Sequence, residues 1–316
     1  MRHSLIILVL FAFLGLFGCA RENTPPLLTI PQQAFFPEGI TIDAGGNLYV
    51  GSIGKGSIIR IPKGERNAVP FIANGNGLLS IIGITADQKR NILWVCSADL
   101  GLKGLSGSAP PSVQAYSLPS GALLHAFPLE SGSFPNHIAI MNDGSALVSD
   151  SFRPVIYRAQ LDDVTISEWS SDPRFSKLPP NPSTLVDRIG LNGIAVGKDG
   201  MAYAVKTNTG DLFRIAINPD GTAGSVEAVA LTEKLNRPDG LETLTDGSLL
   251  LVEGGDRVTR LTPQGSTFTH SIVQNGLDFP TTTVTCDNTA WVVESQLEHM
   301  GNPKEAATFR VLRVDL

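Results

Sequence analysis

The sequence is poor in several things, and each shortage excludes a class. Only three of its 316 residues are cysteines, too few for a small scaffold stapled by disulfides. Charged side chains make up 17% of the chain, and the 24 Lys and Arg are outnumbered by 30 Asp and Glu, giving a net charge of −6. No basic stripe or block is available for phosphate contacts, so nucleic acid is excluded as a partner. Runs of apolar residues at helical spacing are scarce. There is no Gly-x-Ser-x-Gly nucleophile elbow on a strand-to-helix turn and no phosphate-cradling loop.

What is plentiful is glycine (32) and proline (21), the mark of many short strands and tight turns. Residues 1–18 read as a secretory signal: one arginine, an apolar run too short to span a bilayer, then small residues. The run ends in "LFGC", similar to a bacterial lipobox, so Cys19 is the expected lipidated first residue and 19–26 a short tether. Ala20 matches outer-membrane sorting, facing the periplasm, and the membrane is reached only through this anchor. Loss of Arg2 with the leader leaves 23 basic residues and a net charge of −7. The two remaining cysteines, Cys96 and Cys286, fall in different repeats and are expected as buried thiols out of disulfide reach.

Residues 27–316 carry a repeat. "FPEGITIDAGGNLYVGS" from Phe36, "SIIGITADQKRNILWVCS" from Ser80 and "FPNHIAIMNDGSALVSD" from Phe134 share one template with "LNGIAVGKDGMAYAVKT" from Leu191, "RPDGLETLTDGSLLLVE" from Arg237 and "FPTTTVTCDNTAWVVES" from Phe279. Each word is a strand, a hairpin turn rich in Asp, Gly and Asn, and a second strand. The spacing is that of four-stranded blades, so the expected fold is all-β: a six-bladed propeller closed by an N-terminal strand, "LLTIP". It is expected to be a monomer.

Two polar columns emerge. The hairpin column, Asp43 to Gly46 in the first word and Asp246-Gly247 in the fifth, is turn chemistry. The other column, Glu38, Ile82, Asn136, Asn192, Asp239 and Thr281, opens the six words and meets at the ring axis. Its residue type varies while the neighbouring glycine or proline mostly stays, which is unlike a backbone role. Two carboxylates and two amides make an oxygen-only cage suited to Ca²⁺. Zinc's usual His or Cys ligands are absent from it. Hydrogen-bonded channel groups around ordered water are the alternative.

The words "PEGI", "PNHI", "LNGI" and "RPDGL", in this order, resemble the family of senescence marker protein 30, gluconolactonases and luciferin-regenerating enzymes, whose wider superfamily includes paraoxonases and diisopropylfluorophosphatase. The resemblance implies that Glu38, Asn136, Asn192 and Asp239 hold a divalent cation, Ca²⁺ first with Zn²⁺ or Mn²⁺ as alternatives. It also implies that Asp239 doubles as general base or nucleophile. His137 replaces the glycine that follows the column residue in four blades, and is a second catalytic candidate. Asp99, Asp150, Lys206, Asn208, Glu253 and Glu294, at the ends of the second strands with Ser52, Ser151 and Gln296, are the expected substrate-pocket wall. Lys206 is the one cation among them, and the loop 97–112 is a candidate lid. His125, His270 and His299 are read as structural. The function implied is a lipid-anchored, metal-dependent hydrolase of small esters, a sugar or other lactone first. A propeller that binds a small ligand or protein without turnover is the alternative, and a structural envelope lipoprotein is a third reading.

Overall fold

The computed structural model describes residues 27–75 and 77–316, so the leader, Cys19 and the tether lie outside the described residues. The described strands form six antiparallel sheets in sequence order around an axis. Their inner strands are Pro37–Ile42, Ser80–Asp87, Pro135–Ile140, Leu191–Val196, Pro238–Thr243 and Pro280–Cys286. Each inner strand touches the next, and the sixth touches the first, which closes the ring. This is a six-bladed β-propeller with four-stranded blades. Among the described residues, the fifth blade alone carries an extra edge strand, Ala230–Leu231, parallel to Thr267–Gln274.

The ring is closed as the repeat spacing requires. Leu27–Ile30 pairs antiparallel with Phe309–Asp315 and completes the sixth blade from the other end of the chain. Leu28 and Ile30 point inward and are buried, while Leu27 and Thr29 face solvent, the two-residue period of a half-buried strand. The faces between blades are filled by aliphatic and aromatic side chains. Trp94, Phe127 and Phe309 are fully buried in the largest cluster, which spans the first, second, third and sixth blades.

The hairpins are turn chemistry throughout the described blades. Asp43 accepts from the backbone and side-chain amides of Asn47, and Asp143 and Asp246 each cap the backbone of the serine two residues on. Third-strand arginines then clamp two of these turns: Arg158 reaches Asp143 and Ser145, and Arg260 reaches Asp246 and Ser248.

Every inner strand carries the same irregularity. The register against the second strand slips by one residue between Pro37 and Ile40, Ile81 and Ile84, Pro135 and Ile138, Leu191 and Ile194, Pro238 and Leu241, and Pro280 and Thr283. The two residues inside each bulge are the column residue and its successor. A bulge re-aims a side chain out of the pleat, so one backbone device used six times turns the column toward a common point.

Cys96 is a free, buried thiol in the second blade, so no bond joins it to Cys286. Cys286 is half-buried, whereas the sequence expectation was a buried thiol.

Candidate active site at the axis

The bulges bring Glu38, Asn136, Asn192 and Asp239 from four blades to the floor of one cavity of about 410 Å³. Ile82 and Thr281, from the other two blades, line it as well. Each of the four keeps a buried oxygen with no hydrogen-bond partner: Glu38 Oε2, Asn136 Oδ1, Asn192 Oδ1 and Asp239 Oδ1. An unpartnered buried oxygen is expensive, and four at one floor form a concentrated set of free acceptors suited to a cation or to ordered water.

The amide oxygens face the cavity because the amide nitrogens are occupied. Asn136 Nδ2 donates to Ser151 Oγ at 2.8 Å, and Ser151 Oγ donates to the carbonyl of Leu191, the residue before Asn192. Asn192 Nδ2 donates to Thr207 Oγ1 at 3.1 Å, and Thr207 donates to the carbonyl of Pro238, the residue before Asp239. Thr281 Oγ1 lies 2.7 Å from Ser295 Oγ, which donates to the carbonyl of Pro37, the residue before Glu38. A hydroxyl thus stands behind each column side chain that carries a donor. Where the column residue has no donor (Glu38, Ile82, Asp239), the corresponding positions are Ile53, Ala98 and Gly254. Sequence reasoning missed Thr207 and Ser295 in this role. The signal was there: hydroxyls occur after the second strand only in blades three, four and six.

The two carboxylates sit in a field that opposes their ionisation. Burial pushes the Glu38 carboxyl well above its usual range, and the negative charge of Asp239 pushes it further. Burial likewise raises Asp239, against the lowering effect of a hydrogen bond from Asn192. A divalent cation would reverse both effects and would satisfy all four orphaned oxygens. The donor set is hard oxygen with a charge of −2, which fits Ca²⁺. Among the described residues no group of three or more His, Cys, Asp or Glu side chains is arranged to hold a metal ion. The two carboxylates both line the cavity but differ in exposure: Glu38 is buried and Asp239 is half-buried.

His137 does not reach this cavity. Its ring is buried between the third and fourth blades, with Nδ1 3.2 Å from the carbonyl oxygen and 3.3 Å from the amide nitrogen of Ile194. Burial lowers its pKa to about 4, so the ring is neutral. It packs where four of the other blades use glycine and the sixth uses Thr282.

The expected pocket wall is also elsewhere. Asp150 caps Phe134, Phe152 and Arg153 amides, Glu253 accepts from Asn236 N, and Glu294 accepts from Asp278 N. Ser52 donates to the carbonyl of Phe35. These side chains oppose the residue ahead of the bulge and tie down the segment leading into their own inner strand. Lys206 is buried with its ammonium donated to the carbonyl of Lys177. Asp99 is exposed and caps Gly101 and Gly107, and Asn208 is half-buried; neither lines the cavity. Gln296 is buried, its Oε1 accepting from Ala307 N. His270 Nε2 sits 2.7 Å from Glu253, which agrees with its structural reading.

The real walls come from three connections. Leu100 belongs to the loop 97–112, whose Leu105 is buried in the body. Leu185, Val186 and Ile189 come from the long crossing between Ser171 and Leu191, at the 3-10 turn Val186–Arg188. Leu297 and Met300 come from the connection before Phe309, around the turn Leu297–His299. Arg237 and Glu298 are the charged residues of the wall.

The fold and this axial floor define the class: a six-bladed propeller with an oxygen-lined central site. No protein-family model and no curated protein matches the chain. Among solved structures it superposes on regucalcin, a calcium-binding protein from Agrobacterium tumefaciens, with a TM-score of 0.65 at 14% identity over 93% of this chain and 95% of that one. It superposes on a gluconolactonase from Xanthomonas campestris with a TM-score of 0.62 at 14% identity, over 91% and 89%. It also matches virginiamycin B lyase from Staphylococcus aureus at 0.58 and 15% identity, over 92% and 98%. These likenesses establish the fold. They attach it to a binding protein, a hydrolase and a lyase alike, so the choice of chemistry falls to the site.

Proposed function

We propose that the chain belongs to the senescence marker protein 30 and gluconolactonase family and is a divalent-cation-dependent hydrolase of lactones or small esters. The observation that carries this is the set of four orphaned oxygens at the floor of an accessible cavity. Glu38, Asn136, Asn192 and Asp239 would hold the ion, Ca²⁺ by donor type. When bound, such an ion supplies charge stabilisation for a carbonyl oxygen on its way to an oxyanion.

The chain's own groups do the rest. Asp239, the accessible carboxylate, takes a proton from water as the water oxygen bonds to the carbonyl carbon. Collapse breaks the carbonyl carbon to ring-oxygen bond, and the departing alkoxide takes up that proton. Glu38 is the more deeply buried of the two carboxylates and has a holding role. Ser151 and Thr207 keep the amide oxygens aimed. The acyl product and the alcohol leave through the mouth.

The reading extends to place. Cys19 is the lipid attachment point, and the domain sits at the bacterial cell envelope, on the outer membrane facing the periplasm. The "LFGC" run and Ala20 support it. Metabolic labelling with a tritiated fatty acid should mark the wild type and not Cys19→Ser.

The test of the activity is a panel of lactones and aryl esters assayed with calcium, with EDTA, and with manganese or zinc added back. Hydrolysis should vanish with chelator and return with calcium. Calcium binding by calorimetry without turnover of any substrate would instead make the chain a ligand-binding propeller.

A further inference from the structure

The cavity above the floor is built for apolar groups. Ile82 and Phe134 flank the column, and Leu185, Ile189, Leu297 and Met300 form the upper wall. Leu185 remains 54% exposed at the mouth, an apolar side chain kept in solvent beside a cavity. The polar wall groups are mostly committed to the protein itself. Thr207 donates to Pro238 O and accepts from Asn192. Thr281 is bound to Ser295 and to Glu38 O. Thr184 Oγ1 accepts from Asp187 N. Above the floor that leaves Arg237 and Glu298, both exposed.

A polyhydroxylated substrate entering this space would exchange water for carbon around most of its hydroxyls, and a site that leaves polar groups unpaired rejects them. An alkyl or aryl substituent would exchange water for the same carbon at a gain. The volume, about 410 Å³, accommodates a small ring with a chain of several carbons.

We infer that the substrate is a lactone or ester bearing an apolar substituent of several carbons, with the carbonyl at the axial floor and the substituent against the wall of Leu185, Ile189, Leu297 and Met300. This rests on the hydrolase reading for the reaction, though not for the binding. Arg237 holds the one cationic group of the wall, and its backbone is in the left-handed region at φ 49°. Its carbonyl accepts from Gly254 N, which helps hold the side chain over the mouth.

The experiment measures kcat/KM and, by calorimetry, Kd for γ-lactones with alkyl tails lengthened from one to seven carbons, beside glucono-δ-lactone, using calcium-loaded protein. Both should improve by about fourfold per methylene over the first several carbons, and the sugar lactone should be among the poorest. In the double variant Leu185→Asn, Met300→Gln, whose altered side chains lie at the mouth, the dependence on tail length should flatten. Kinetics and affinity independent of tail length, or best for the sugar lactone, overturn the inference. Affinity that follows tail length with no turnover anywhere defeats the hydrolase and keeps the apolar ligand.

Discussion

Two carboxylates that share a floor are not equivalent, and their difference decides which one can work. Both line the cavity, but Glu38 is buried while Asp239 is half-buried. Asp239→Asn should keep an oxygen for the cation and leave the fold intact, while removing the group that accepts a proton. With calcium at saturation, we expect kcat to fall at least about a hundredfold; a calcium-saturated variant that turns over at the wild-type rate would move the base elsewhere. His137 is the control. Because its ring lies between blades and bonds the backbone of Ile194, His137→Ala should leave kcat and its pH profile in place while lowering stability by roughly 1–3 kcal/mol, the scale of an unsatisfied buried group. A collapse of kcat with unchanged melting would restore His137 as a catalytic group. The column was legible in the sequence because six aligned words expose a position whose residue type varies among constant neighbours. The side chains at the ends of the second strands were misplaced because a one-residue bulge is invisible in the words. It turns the column toward the axis and leaves Asp150, Glu253 and Glu294 to hold the segments before the bulge.

At the scale of strands and turns, the bulges demand close contact between neighbouring blades. A Cβ on Gly193 would lie 2.3 Å from the carbonyl oxygen of Asp239 and 2.7 Å from Leu241, and one on Gly83 would lie 2.1 Å from that of Asn136. Neither glycine has the left-handed torsion, so the need is for space alone. Gly193→Ala should therefore cost about 1–3 kcal/mol of overpacking and push the Asp239 backbone away from the floor. Urea titration and calcium calorimetry should both register it; a loss of stability without any loss of calcium affinity would separate the glycine from the site. On the opposite face the turns carry the load. Hydrogen bonds from the Ser248 hydroxyl and amide hold the Asp246 carboxyl below its ordinary value of 3.8, with Arg260 adding to them. A lowered folded value means that its contribution is complete above that pH and lost as pH falls through the lower folded value. Asp246→Ala should lose roughly 0.5 kcal/mol at neutral pH, the scale of a half-exposed, solvent-screened carboxylate, and the two proteins should converge in stability as pH falls below 3.8 through the lower folded value. A gap that persists in acid would assign the loss to the turn backbone instead. Blade count and closing strand were readable from period and alternation. Of the cavity walls only the loop 97–112, which supplies Leu100, was readable; the crossing before Leu191 and the connection before Phe309 stand outside the repeat and have no period to read.

Across the whole molecule, the site and the ring are one object, because its floor takes one side chain from each of four blades and none of them can meet in an unfolded chain. A cation bound only by the closed ring stabilises it by mass action, about 2.7 kcal/mol at a hundredfold excess over Kd. For a domain of this size that raises the melting temperature by roughly 4–5 °C. Glu38→Gln should abolish most of that rise, since it removes one of the two charges. Ring closure through the N-terminal strand acts at a distance from the floor. Ile30 is fully buried in the sixth blade, opposite Phe309, and Ile30→Ala should cost about 2–5 kcal/mol. If the ring opens as a unit, this deficit and the calcium rise should add, so that the variant melts lower by the same interval with and without the ion. Calorimetric melting of wild type, Ile30→Ala, Glu38→Gln and the double variant, each with calcium and with EDTA, measures both effects in one set. A calcium rise that disappears in Ile30→Ala would mean that blade six opens before the floor comes apart, and that the closing strand governs cation affinity from outside the site.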